Sequence, residues 1–295
     1  MAIGTGYGKY ILFGEHFVVH GAPAIALPTA NCVEVNVEVG KKGVFPEVYA
    51  NEINLMAFEA LKKAVEQETG ESFESFRVEI ISATIPIGAG MGSSAAFAVA
   101  VARGLLKELG IDDNPMLVNR LAHEMEMVYH GNPSGIDDTV ATYAKPVVFT
   151  KGEGTRFISM NWSPAMIAVD SGFPRSTKAM VQKVGELKQR EPSVFESLMN
   201  SARLITKYGE LYLQSANVKG LGDLMNINQG LLNGIGVSIP AIEKICSQLR
   251  ESGASGAKLS GGGGGGIVLG LFESKRDAES FADSFREIYS ITKLY

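Results

Sequence analysis

Residues 85–96 read Ile-Pro-Ile-Gly-Ala-Gly-Met-Gly-Ser-Ser-Ala-Ala, and no other stretch limits the fold as tightly. Three glycines at alternate positions run straight into an alanine-rich stretch that favours a helix. Glycine lets backbone N–H groups curl around an anion without a Cβ clash. The helix that follows presents unpaired N–H groups and the positive end of its dipole. Together they make a phosphate site. The hydroxyls of Ser93 and Ser94 can reach a phosphate or a magnesium ion; the plainer alternative is a turn with Ser93 as N-cap. The common nucleotide motifs fail. No lysine follows these glycines, Lys9 is followed by Tyr10, and position 93 is serine where G-x-G-x-x-G needs glycine.

Two further segments carry glycine in suggestive places. Lys258-Leu-Ser is followed by six glycines ending at Gly266. Such a run usually reads as a flexible linker, yet both flanks, 257–259 and 267–272, have strand character. Close approach of the backbone to a ligand or another loop explains it better. Residues 8–21, Gly-Lys-Tyr-Ile-Leu-Phe-Gly-Glu-His-Phe-Val-Val-His-Gly, place Lys9 at the start of an apolar strand and Glu15 and His16 at a glycine turn. Taken singly, each of these polar residues is more often a solvated or satisfied side chain than a catalyst.

The front half is rich in strands. Residues 32–39 alternate strictly with valines on one face, and 10–13 and 76–84 are further strand segments. Helical spacing covers 52–69, stopping at Gly70, then 93–109, and 115–130 with a proline in its first turn. Residues 174–251 read as mostly helical with breaks near Pro192, Gly220 and Gly236; 275–289 reads as a helix and 290–294 as an edge strand. This predicts an α+β chain with a boundary near Ser163-Pro164.

A chain of 295 residues, 45% hydrophobic and 20% charged, can bury a sizeable core. The net charge of −5, without clustered Lys and Arg, argues against a nucleic-acid surface. The start, interrupted by Lys9 and Gly14-Glu-His, does not read as a signal peptide, and the longest apolar run, 95–102, is too short for a membrane span. Cys32 and Cys246 read as reduced thiols in a cytoplasmic protein.

In this order the three glycine segments resemble the GHMP kinases, a family with a lysine-led N-terminal motif, a P-x-G-x-G-L-G-S-S-A-A loop and a C-terminal K-x-T-G-A-G-G-G-G loop. The opening at Gly8-Lys-Tyr-Ile-Leu-Phe-Gly-Glu-His and the segment His130-Gly-Asn-Pro-Ser-Gly-Ile-Asp137-Asp138 look like the mevalonate kinase branch, in its short archaeal and bacterial form. There are departures: Tyr7 for proline, Met91 for leucine, Ser260 for threonine, Gly262 for alanine, Asp138 for asparagine, and Tyr143-Ala-Lys-Pro where a glycine pair is usual.

The resemblance implies a two-domain GHMP kinase fold. A mixed-sheet N-terminal domain, 1–163, and a ferredoxin-like, helix-rich C-terminal domain, 164–295, would share an active site in the cleft between them. It implies ATP-dependent phosphorylation of the C5 hydroxyl of mevalonate. Asp137 and Lys9 would be catalytic, and Pro86, Gly88, Ala89, Gly90, Met91, Gly92, Ser93, Ser94 and Ala95 would bind the phosphates. Ser94 and Glu126 would hold Mg²⁺, while Glu15, His16, Thr177 (in Arg175-Ser-Thr-Lys) and Gly262 would line the mevalonate site.

Plainer roles exist for several of these. Asp137 could cap a helix, Glu126 and His130 could be a surface pair four residues apart, Thr177 could be a first-turn residue, and His123 and Glu124 could have no role. Asn132 reads as a turn-shaping residue before Pro133. Neither a nucleic acid nor a membrane is expected as partner; a homodimer is compatible with the family. The alternatives are another GHMP kinase such as phosphomevalonate kinase, whose acceptor would need further Lys or Arg, and a silent nucleotide-binding member, which should have lost Lys9, Asp137 or the loops.

Overall fold

The computed structural model describes residues 1–46, 50–86, 90–131, 133–174 and 177–295; Gly88, Ala89, Asn132, Arg175 and Ser176 lie outside the described residues. In chain order the elements are β1 (Ala2–Phe13), β2 (Ala24–Val39), β3 (Gly43–Phe45), α1 (Glu52–Thr69), β4 (Phe76–Ala83), α2 (Ser93–Glu108), α3 (Pro115–His130) and α4 (Ile136–Tyr143). There follow β5 (Val147–Thr150), β6 (Gly154–Phe157), β7 (Ala165–Asp170), α5 (Thr177–Arg190), α6 (Pro192–Gln214), α7 (Val218–Gly234), α8 (Pro240–Glu251), β8 (Gly256–Ser260), β9 (Ile267–Phe272), α9 (Lys275–Phe285) and β10 (Ile291–Lys293).

The chain gathers into two compact units. One comprises Met1–Lys9, Pro28–Ile87 and Met91–Ala144. Here β4 pairs antiparallel with β2 and parallel with β3, which makes the sheet mixed. α3 packs against α1, α2 and α4, and the alanine-rich α2 is largely buried. β1 lies against α2 at backbone distance. A Cβ on Gly4 would stand 2.0 Å from the Ala100 carbonyl oxygen, and one on Gly6 2.0 Å from that of Ala96. The two glycines fall on the same face of the strand by its period of two. α3 starts where the Asn114 side chain accepts the Met116 N–H, ahead of Pro115, and stops at left-handed Gly131.

The other unit is built mainly from Tyr10–Leu27 and Lys145–Tyr295. Its antiparallel sheet has the order β10-β7-β9-β8, the ferredoxin-like arrangement, with α5 to α8 inserted between β7 and β8 and α9 between β9 and β10. Phe17, Ile167, Val169, Phe195, Leu249 and Phe272 are among the side chains that fill its core. α7 closes on the start of β8 through Gly222 and Gly256, each of which leaves room for the other's carbonyl or its neighbour's.

Some boundaries differ from the sequence expectation. Gly220 lies inside α7; the break falls at 215–217, where the Asn217 side chain accepts the Gly220 N–H and caps the helix. β2 begins at Ala24, well before the alternating valines. Cys32 and Cys246 are both free. No helix among the described residues is long and apolar enough to cross a membrane.

Candidate active site

The first group of candidate side chains grows from the end of β1. The Lys9 N–H donates to the Met91 carbonyl at 2.9 Å, which ties the strand end to the loop before α2. Gly92 opens α2 with a φ of 70°, and a Cβ there would stand 3.0 Å from Lys9 Cγ. No side chain caps this helix start. Ser93 is therefore not an N-cap, and the N–H groups of the first turn face no capping oxygen. Lys9 Nζ sits 3.0 Å from Asp137 Oδ1, with the lysine side chain 6% exposed and the aspartate 37%. Asp137 lies in the first turn of α4, whose N-cap is left-handed Gly135. It faces a lysine rather than capping its own helix.

Ser94 Oγ is 3.1 Å from His130 Nε2, and Glu126 Oε2 is 3.7 Å from the same nitrogen. Glu126 is 2% exposed, so it is no surface partner of His130. Its Oε1 is buried with no hydrogen-bond partner among the described residues. Burial, then the charge of Asp137, pushes its carboxyl up to about 7, with the Ser94 hydroxyl opposing. Of the remaining loop residues, Met91 and Ala95 bury their side chains and offer only backbone, Gly90 is left-handed, and Pro86 is half-buried.

The second group belongs to the other unit. After left-handed Gly14, Glu15 is buried and His16 adopts a φ of 62°, a strained value for a residue with a side chain. His16 Nε2–H donates to the Gly262 carbonyl at 2.8 Å, and burial holds the imidazole below its ordinary pKa, in the neutral form. Lys258, fully buried in β8, donates to Glu15 Oε1 and to the Leu259 carbonyl, each at 2.5 Å. Burial lowers the pKa of this lysine, and the carboxylate of Glu15 opposes the shift. Ser260 Oγ accepts the Ile11 N–H and donates to the Ile11 carbonyl. The glycine run is packed rather than loose. A Cβ on Gly262 would meet Thr177 Oγ1 at 2.5 Å, one on Gly263 the Val237 carbonyl at 2.4 Å, and one on Gly265 the Phe173 carbonyl at 2.4 Å. Thr177 is the first residue of α5.

Residues 55–145 match the family model of the GHMP kinase N-terminal domain, and residues 211–291 that of the GHMP kinase C-terminal region. The mevalonate kinase of Thermococcus sibiricus is 34% identical over 91% of this chain and 88% of its own. That of Archaeoglobus fulgidus is 33% identical over 95% of each. The chain belongs to the mevalonate kinase family of the GHMP kinases. Among solved structures, L. major mevalonate kinase in complex with R-mevalonate superposes with a TM-score of 0.85 at 30% identity, over 99% of this chain and 95% of that one.

Membership of the family leaves two features of this chain that sequence reasoning does not find. Lys258 reads only as the opening residue of the glycine loop, although a lysine between apolar neighbours on a strand signals a buried charge in need of a carboxylate. His123 reads as having no role, yet it lies 2.6 Å from the buried carboxylate of Asp138.

Proposed function

We infer that the protein transfers the γ-phosphoryl group of ATP to the C5 hydroxyl of mevalonate, giving 5-phosphomevalonate. The observation that carries this is the Lys9–Asp137 pair at 3.0 Å, beside the uncapped start of a helix. Phosphoryl transfer asks for positioning and charge neutralisation more than for covalent chemistry. Asp137 orients the acceptor hydroxyl and takes its proton, and Lys9 stabilises the negative charge that develops on the transferred group. The backbone N–H groups at residues 90–95 cradle the phosphates, with Gly88 and Ala89 completing the loop by family resemblance. Residues 1–163 would thus supply the phosphate loop and residues 164–295 the second glycine loop.

The donor set suits Mg²⁺. The buried Glu126 Oε1 without a hydrogen-bond partner and the Ser94 hydroxyl are oxygen ligands of the kind a hard cation prefers. When bound, the cation neutralises phosphate charge. Glu15, His16, Thr177 and Gly262 are assigned to the acceptor. His16, neutral and donating from Nε2, keeps Nδ1 as an acceptor for a substrate hydroxyl. Lys258 is committed to Glu15 and to the Leu259 carbonyl, which disfavours a phosphorylated acceptor.

ADP release with Mg·ATP and a panel of mevalonate, 5-phosphomevalonate, homoserine and galactose tests the reading, with turnover expected on mevalonate alone. Asp137→Asn should lower kcat by about 10²–10⁴-fold, the usual contribution of a general base. Unchanged turnover in that variant would remove the base from the scheme.

A further inference from the structure

Asp138 follows the catalytic aspartate directly, at the position where the family resemblance leads one to expect asparagine. The substitution is not neutral. Asp138 is 2% exposed, and its charge adds to that of Asp137 in raising the carboxyl of Glu126. A third carboxylate beside a site for phosphates is an electrostatic burden, and a buried one needs partners to stay charged.

Both oxygens of Asp138 are engaged. Oδ2 lies 2.6 Å from His123 Nδ1, across from α3, and Oδ1 accepts the Thr139 N–H at 3.1 Å. α4 has eight residues and no side-chain cap at its start; buried Ile136, Val140 and Ala141 seat it against α2 and α3, so a buried charge in its first turn is what threatens that seating. Side chains from its neighbours tie it at both ends. Arg103 of α2 donates to the Thr142 carbonyl near the C-terminus at 2.6 Å, and His123 of α3 holds the first turn through Asp138. That first turn presents Asp137 to Lys9.

We propose that His123 is a positioning residue: it holds the carboxylate of Asp138, and through it the first turn of α4, so that Asp137 faces Lys9. The need for it arises from the aspartate at 138, and an amide there would not require a cationic or donating partner of the same strength. This rests on Asp137 being the reacting carboxylate.

The test is a cycle of His123→Ala, Asp138→Asn and the double variant, with Asp137→Asn alongside, measuring kcat, KM for ATP and mevalonate, and the thermal midpoint. His123→Ala should lower kcat by about 10²-fold, the scale of an ångström-sized misplacement, with both KM values within about twofold of the parent. The double variant should recover most of that kcat, because the charge that needed His123 is gone. Parent-like kcat in His123→Ala, or a double variant as slow as that single variant, overturns the proposal. If His123→Ala does not fold, the comparison of Asp138→Asn with the double variant decides: the proposal requires both to turn over alike. Full turnover in Asp137→Asn would instead strike the underlying assignment of the base.

Discussion

A carboxyl group buried beside another carboxylate is a poor place to keep a charge, and Glu126 is such a group. Its ordinary pKa of 4.5 rises to about 7 in the folded protein. Below pH 4.5 both the folded and unfolded chains keep the proton, and the residue does not affect stability. As the pH rises from there to about 7, the unfolded chain ionises while the folded one does not, so stability falls, by about 3 kcal/mol in all. Glu126→Gln should therefore unfold at higher urea than the parent at pH 8 and lose the advantage near pH 4.5. On the proposed Mg²⁺ role of Glu126, the same variant should need more Mg²⁺ for turnover, because an amide supplies no ionised oxygen ligand. The same parent–variant difference at both pH values would show that burial does not set this group's titration.

At the scale of elements, the meaning of a glycine depends on what surrounds it. Gly6 faces the backbone of α2, where an added Cβ would stand 2.0 Å from the Ala96 carbonyl oxygen. Backbone cannot rotate away as a side chain can, so β1 would have to move off the helix and carry Lys9 with it. Gly185, within α5, has nothing within 4 Å of a built Cβ. Gly6→Ala should destabilise by about 1–3 kcal/mol, as overpacking does, and lower kcat. Gly185→Ala should stabilise by about 0.5–1 kcal/mol through helix propensity. The two urea midpoints should move in opposite directions; a shift of the same sign in both would mean that composition, and not the contact, governs them. The elements that could be read from sequence were those whose own residues carry a period, such as the valines of β2 at 33–39 or the capped spans of α1 and α3. β6 has four residues, all exposed, and β5 only four, so neither has a pattern to read. Gly220 misleads because the break is made by the cap Asn217 three residues earlier.

For the whole molecule, candidate site residues are legible where they sit in consecutive residues and hidden where the fold assembles them. The three glycine segments stand out because each is a run of restricted composition, while Lys9, Asp137 and Glu126 are singled out only by the family resemblance. Lys258 and Glu15 are 243 residues apart, and nothing local to either announces the pair. His123 and Asp138 are 15 apart and on different helices. Net charge adds a constraint that motifs do not. With 32 acidic against 27 basic side chains, the protein as a whole repels a polyanion such as ATP. On the proposed function, nucleotide binding would rest on short-range groups, the N–H groups that open α2, Lys9 and a bound cation, with Asp137 acting on the acceptor hydroxyl instead. A ligand present at 100 times its Kd and bound only to the folded state adds about 2.7 kcal/mol, which at this chain length raises Tm by about 5 °C. Mg·ATP should produce that shift in the parent and, equally, in Asp137→Asn, while turnover separates the two proteins. A shift lost in Asp137→Asn would make that residue part of the nucleotide site rather than a base, and no shift in the parent would reject the phosphate cradle altogether.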